Sequence, residues 1–246
     1  MSAYAGFDLG GTQLKYGIVT ETGEILFLSR VDTPDKIQDL MLLIKDLWDD
    51  LNKKETITAA GFAFPGIFSR KKQRILQSPN YPELDEFDLV EGIGGHVKAP
   101  FFINNDANLA AYGEFKKGAG INAHSMIHFT IGTGVGSGII LQGKIWEGFN
   151  GYAGELGHII VNPDGERCLC GSQGCLETEA SAQKIVRNYI ELTGKKEELT
   201  SKDVAHRAQK GDEKARQAFA RAGYFLGIGI GISINFLNPE KILLGG

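Results

Sequence analysis

Four side chains with metal-ligand chemistry crowd one short stretch. All three cysteines of the chain, Cys168, Cys170 and Cys175, fall within eight residues, and His158 stands ten positions upstream. One histidine and three cysteines complete the tetrahedral set that zinc takes in structural sites. A Cys-x-Cys pair, a gap of four residues and a third cysteine, with Gly171 and Gly174 in the gap, make a knuckle that can turn three sulfurs to one point. Disulfide pairing would leave one thiol over. Four protein ligands leave no open position, so the ion is expected to be structural, fixing the flanking Glu155, His158 and Glu177 in place.

Two glycine loops and a cluster of three asparagines and one aspartate carry the remaining chemistry. Asp8-Leu9-Gly10-Gly11-Thr12 places a carboxylate before a tight turn and a hydroxyl after it. Backbone N–H groups at Gly10 and Gly11 can cradle a phosphate, and Asp8 can hold magnesium through water. Gly132-Thr133-Gly134-Val135-Gly136-Ser137-Gly138 has a dinucleotide-like spacing. A dinucleotide fingerprint needs a helix directly after the glycines. Ile139-Ile140-Leu141 follows instead, which reads as strand, so a second phosphate loop fits better. Asn104-Asn105-Asp106-Ala107-Asn108 joins a strand to a helix. Capping that helix needs one such residue, and here four polar ones fall together. Asp106 therefore reads as a general base, at the carboxyl end of a strand where open α/β sheets place ligands. Pro65-Gly66 ends another strand, as a plain turn or as backbone approaching a substrate.

The elements that position these groups follow from periodicity. The chain contains 33 glycines, gathered between apolar runs rather than spread as a linker. Strands are predicted over 4–9, 14–19, 58–64, 98–103, 126–131 and 241–244. Thr33-Pro34 is predicted to open a helix, with Thr33 as its cap, because Ile37, Leu40, Met41, Ile44, Leu47, Trp48 and Leu51 recur at helical spacing. Arg70-Lys71-Lys72-Gln73-Arg74 reads as a solvated hairpin turn. Helices are predicted over 180–193, 201–210 and 212–237, the last with Gly223, Gly227, Gly229 and Gly231 inside it. Glycines there imply a tight helix crossing or backbone bordering a nucleotide.

Composition narrows the function classes. The 246 residues are 42% apolar and 23% charged, as in a soluble globular chain. The net charge of −4 gives no electrostatic footprint for nucleic acid. No apolar run reads as long enough for a bilayer, and the N-terminus lacks a signal-peptide pattern. With three zinc-type cysteines, a cytoplasmic location is expected.

In order along the chain, residues 8–12, 105–111, 131–139, 154–158, 168–177 and 238–246 resemble the motifs of the ROK family of sugar kinases and repressors. The pattern is most similar to its bacterial ATP-dependent glucokinases. The resemblance implies an α/β fold of the two-lobed actin-like (ribonuclease H-like) ATPase class with a zinc knuckle. It implies a small N-terminal lobe over 1–106 and a larger C-terminal lobe over 107–246 that carries the zinc-binding segment 158–175. It implies phosphorylation of a hexose 6-hydroxyl, glucose first, by ATP with Mg2+. Asp106 would take the hydroxyl proton. Gly66, Asn105, Glu155, His158 and Glu177 would surround the sugar, and Asp8, Gly10, Gly11, Thr12, Thr133 and Gly134 would face the phosphates. Family members continue past the motif at 238–246, so a C-terminal part of the fold is expected to be missing. The resemblance admits a homodimer and leaves three alternatives: kinases of N-acetylhexosamines or fructose, a repressor and a non-catalytic sugar sensor. A repressor would need an added N-terminal DNA-binding module, for which a phosphate motif at residue 8 leaves no room.

Overall fold

The computed structural model describes every residue except Met1, Arg70, Pro79, Asn80, Glu86 and Lys196. Arg70 of the basic hairpin thus lies outside the described residues. The chain divides into two compact units, one of Met1–Ala110 with Glu147–Ala153, the other of Ala111–Trp146 with Gly154–Gly246.

The first unit contains β1 (Ala3–Leu9), β2 (Gln13–Thr20), β3 (Ile25–Asp32), α1 (Ile37–Lys54), β4 (Ile57–Phe64), the hairpin β5 (Ile67–Ser69) and β6 (Arg74–Gln77), α2 (Leu89–Gly94) and β7 (Phe101–Asn105). Its five-stranded sheet runs β3-β2-β1-β4-β7. Strands β1 to β3 form an antiparallel meander, and β4 and β7 add in parallel. Alternation along β1 buries Ala3, Ala5, Phe7 and Leu9 on one face and turns Tyr4, Gly6 and Asp8 to the other. The buried face is closed by the apolar stripe of α1, and Phe7 stacks on Phe62 at 4.7 Å between ring centroids. Strand register sets Lys15, Asp8, Ala63 and Asn104 side by side in one row across four strands.

The start of α1 differs from the sequence expectation. The helix begins at Ile37 behind Lys36, which makes no side-chain cap. Thr33 is engaged elsewhere, donating its hydroxyl to the Gly10 carbonyl at 2.8 Å, and the Pro34 carbonyl accepts from the Tyr81 hydroxyl at 2.6 Å.

The chain enters the second unit within α3 (Asp106–Lys117), followed by β8 (Met126–Ile131), β9 (Val135–Leu141) and β10 (Lys144–Ile145). Helices α4 (Leu176–Ala180), α5 (Ala182–Thr193), α6 (Ser201–Gln209) and α7 (Glu213–Leu237) come next, then β11 (Lys241–Gly245). The four-stranded sheet is ordered β10-β9-β8-β11, with β11 parallel to β8. Strand, glycine turn and antiparallel strand thus recur in both units. Ile127, Phe129 and Ile139 pack with Leu176 and Ala180 of α4 and with α7, while Met126 and Ile140 meet Tyr112 and Phe115 of α3.

Of the α7 glycines, Gly229 has a packing reason. A Cβ there would lie 2.8 Å from Leu176 Cδ2, so this glycine lets α4 and α7 cross closely. Gly223, Gly227 and Gly231 border open space. By length and composition alone α7 is long and apolar enough to span a bilayer, whereas the sequence reading finds no such run. Here it packs on α4, α5 and α6, burying Ala215, Ala218, Ala222, Gly229 and Ser233.

Candidate functional site

In the first unit the Asn104–Asn108 cluster and the first glycine turn are built on strands of one sheet, β7 and β1–β2, with β4 between them. Asn105 ends β7 and Asp106 opens α3. Capping falls to Asn105, whose Oδ1 accepts from the Asn108 N–H at 3.0 Å. Its amide nitrogen donates to the Gly66 carbonyl at 2.9 Å and to Asp106 Oδ1 at 3.0 Å. The same Oδ1 accepts from the Ala107 N–H at 2.8 Å, so the Asp106 carboxylate is held from two sides. Burial pushes the Asp106 carboxyl above the usual carboxylate range, and the charge of Asp8 pushes the same way, against the hydrogen bonds from Ala107 and Asn105. A partly desolvated carboxylate with a raised pKa is poised to accept a proton.

A buried amide network supports that junction. Asn104 accepts from the Asn105 N–H at 2.7 Å and from Asn108 Nδ2 at 3.2 Å, and donates to Glu147 Oε1 at 2.6 Å. Gly66 adopts φ +103°, and a Cβ on it would lie 2.3 Å from the Gln77 carbonyl. Turn geometry alone therefore demands glycine at this position.

The first glycine turn is tighter than its sequence suggests. The Gly10 N–H donates to Gln13 O at 2.9 Å and is consumed in closing the turn. Thr33 clamps both ends, through its hydroxyl to Gly10 O and its N–H to Thr12 O at 3.0 Å. Gly11 and Thr12 form the exposed tip. Asp8 pairs with Lys15 Nζ at 3.3 Å.

In the second unit the corresponding loop is equally ordered. The Gly132 N–H donates to Gly134 O at 2.9 Å, and the Val135 N–H to Glu177 Oε2 at 3.1 Å. A Cβ on Gly134 would lie 2.1 Å from that carboxylate oxygen. The segment carrying Glu155 and His158 is tied to β9, since Ser137 Oγ donates to the Gly154 carbonyl and accepts from the Leu156 N–H at 3.2 Å. Gly157 is required because a Cβ there would meet Val135 O at 1.9 Å.

The thiol cluster assembles as its spacing predicts. The ligand atoms of His158, Cys168, Cys170 and Cys175 all lie within 4.8 Å of one another. Cys168 Sγ is 3.5 Å from His158 Nδ1, and Cys170 Sγ is 3.6 Å from Cys175 Sγ. On the other edge of the imidazole, Nε2 is 3.9 Å from Glu155 Oε2. Gly174, at φ +72°, would carry a Cβ only 1.5 Å from Asn162 O, so a side chain there would break the knuckle. Burial pushes the Cys175 thiol well above its usual range, a cost that a bound cation offsets by taking the thiolate.

Within the first unit the structure therefore brings Asp8, Asn105, Asp106 and Gly66 onto neighbouring strand ends, with Gly10 to Thr12 on the β1–β2 turn. Within the second it gathers Glu177 with Gly134, and Glu155 and His158 with the three cysteines. Sequence reasoning missed Thr33, Ser137, Glu147 and Lys15. Lys15 alone had a readable signal: counting outward from a turn centred on Gly11–Thr12 pairs position 8 with position 15.

Two mixed α/β sheets that each open on a strand, glycine turn and strand define an actin-like fold of the sugar-kinase type. A model of the ROK family matches residues 4–246. A glucokinase from Halalkalibacterium halodurans is 39% identical, over 99% of this chain and 79% of its own length. The crystal structure of a ROK family glucokinase from Streptomyces griseus, in complex with glucose and AMPPNP, superposes with a TM-score of 0.88. It shares 31% identity and is matched over 100% of this chain and 83% of that one. A xylose repressor from Bacillus subtilis is 30% identical, over 98% of this chain and 64% of its own length. The chain belongs to the ROK family.

Proposed function

We propose that this chain, a sugar kinase of the ROK family, transfers the γ-phosphoryl group of ATP to the 6-hydroxyl of a hexose, with glucose the preferred acceptor. The observation that carries the reading is the Asp106 carboxylate. It is fixed by Asn105 and the Ala107 N–H, and held above the usual carboxylate range by burial and by Asp8. The glucokinase relatives support the choice of acceptor.

In this mechanism Asp106 accepts the proton of the sugar hydroxyl as its oxygen bonds to phosphorus and the bond to the ADP oxygen breaks. Phosphoryl transfer needs positioning and charge neutralisation more than covalent chemistry. A positioned base typically contributes about 10²–10⁴-fold. Asn105 would orient both Asp106 and an adjacent sugar hydroxyl, and Gly66 would bring backbone to the ring. Glu155, His158 and Glu177 would meet hydroxyls on the anomeric side. Gly11, Thr12, Thr133 and Gly134 would face the phosphates, with Gly10 holding the first turn closed.

Two metal ions belong to this reading. The exposed oxygen donor of Asp8 beside the turn fits magnesium, held through water, which would neutralise phosphate charge. His158, Cys168, Cys170 and Cys175 fit structural zinc by donor type, number and mutual distance. The ion would fix the ring of His158 so that its Nε2 edge stays beside Glu155. The reading places the enzyme in the cytoplasm, acting on a small sugar.

The test is ADP release from ATP and Mg2+ with glucose, fructose, N-acetylglucosamine and N-acetylmannosamine in turn, with Asp106→Asn as the control. Glucose-dependent release lost by about two orders of magnitude or more in the variant is expected. Equal release by both proteins would sink the assignment of the base. Faster turnover of another sugar would move the substrate.

A further inference from the structure

A hollow of about 530 Å³ lies in the second unit between His124–Ser125, which lead into β8, and the β9–β10 hairpin. Strand β9 begins beside Gly134 and runs seven residues to Leu141. At about 3.4 Å per residue this sets the hollow roughly 20 Å from the second glycine loop, outside the phosphate site. Lys144 and Trp146 alternate with Ile145 and so project to one side of the hairpin, placing an ammonium beside an indole that is 50% exposed. Among the described residues, none hydrogen-bonds or pairs with the Lys144 ammonium, the Trp146 indole N–H, the Gln142 amide or the His124 ring, although all four line the hollow. No described carboxylate lines it. Glu240 Oε2 accepts from the backbone N–H of His124 at 3.0 Å but is not among the lining groups. Gln142 adopts φ +51° and Gly143 φ +75° in the two-residue turn joining Leu141 to Lys144. Asparagine, aspartate or glycine is favoured at the first position of such a turn. Glutamine there holds a strained backbone, and its side chain lines the hollow.

We propose that this hollow is a second ligand site, and that it takes a small sugar phosphate. The volume falls in the range of about 300–1,000 Å³ usual for small-molecule pockets, and a few convergent polar groups on apolar walls are their usual lining. The one formal charge of the lining is that of Lys144, which selects an anion. A lysine ammonium, compact and with three donors, meets a phosphate as a point charge. The indole offers an apolar face to the C–H surface of a sugar ring and an N–H at its edge. Hydroxyls both donate and accept, which matches the amide of Gln142, the hydroxyl of Ser125 and the ring of His124. Inorganic phosphate would leave the indole uncovered, and an unphosphorylated sugar would leave the ammonium unpaired. The site stands on the hollow itself and does not depend on the kinase reading above.

The experiment titrates glucose 6-phosphate, with inorganic phosphate and AMP in parallel, against protein held in saturating glucose and Mg–AMPPNP so that the catalytic site is filled. Binding is read by calorimetry in the parent and by fluorescence in Trp48→Phe. The chain has two tryptophans, so Trp146 then reports the hollow alone. Glucose 6-phosphate should change the Trp146 emission saturably. Loss of one charge-assisted contact in Lys144→Met should weaken it about tenfold to 150-fold. Gln142→Gly relieves the turn, so it should keep or raise Tm while weakening binding about threefold or more. Both side chains are exposed, and hexose phosphorylation without added sugar phosphate should stay within twofold in both variants. Neither heat nor an emission change at millimolar glucose 6-phosphate overturns the proposal, and so does an affinity in Lys144→Met within twofold of the parent. Tighter binding of inorganic phosphate or AMP than of glucose 6-phosphate overturns the ligand class. A protein that phosphorylates no hexose defeats the kinase reading alone, because Trp146 still reports on this site.

Discussion

Gly134→Ala tests how the second glycine loop and Glu177 work together. The backbone of Gly134 is not in the left-handed region, so an alanine methyl brings no conformational strain. The cost is steric and local. The new Cβ would lie 2.1 Å from Glu177 Oε2 and 3.0 Å from its Cδ, whereas ordinary contact begins near 3.4 Å. The carboxylate must retreat by roughly 1.3 Å, which breaks its 3.1 Å bond from the Val135 N–H. A hydrogen bond to a charged group is worth about 1.5–3 kcal/mol, so kcat/KM should fall about tenfold to 150-fold. Thermal stability should fall by no more than that one bond is worth, because the carboxylate is only partly buried and can turn to water while the Val135 N–H loses its partner. The assay is a double-mutant cycle with Glu177→Ala on hexose phosphorylation. If the methyl acts by displacing Glu177, Gly134→Ala should cost less than threefold or so once the carboxylate is gone. An equally large loss in both backgrounds would refute this reasoning and would point to a direct clash with the nucleotide.

Asp106→Asn should raise Tm at pH 7 while abolishing turnover. A folded pKa raised above 3.8 means that stability is full below the unfolded value and is lost as pH rises through the folded one. The gain in Tm should therefore shrink as pH falls and vanish below 3.8, and a variant less stable than the parent at pH 7 would contradict it. By the same titration, kcat/KM should rise with pH across the acidic range. Thr33→Val removes the hydroxyl bond to Gly10 O, and should lower stability by about 1 kcal/mol and raise the KM for ATP. Elemental analysis of the purified protein should find one zinc per chain, and Cys170→Ser should lose it together with several degrees of Tm. A metal-free parent of unchanged Tm would remove zinc from the account.

The order of elements was legible because periodicity reports it directly. The α1 stripe, the strand-to-helix junction at Asp106 and both strand–turn–strand units follow from spacing alone. The thiol cluster was legible for a related reason: two glycines and a four-residue gap leave few other ways to fold 168–175. What stayed hidden were contacts distant in sequence. Nothing near Thr33 says that its hydroxyl serves a turn 23 residues earlier rather than the helix beside it. Glu147 meets Asn104 across 43 residues. Gly66 shows the opposite case, where a glycine that attracts a functional reading is already required by Gln77 O and a positive φ.

The short segment Glu147–Ala153 belongs to the first unit, although the residues on both sides of it belong to the second. The polypeptide therefore crosses between the units three times, and neither is a contiguous fragment. Residues 1–110 expressed alone would leave the side chain of Asn104, which is 4% exposed, without the Glu147 carboxylate that it bonds at 2.6 Å. Residues 111–246 alone would carry 147–153 as an unanchored loop directly before Glu155. The two halves are thus inseparable at the level of the gene. An insertion or a circular permutation that severs the chain between 146 and 154 should damage the Asp106 junction, which lies some forty residues earlier in sequence.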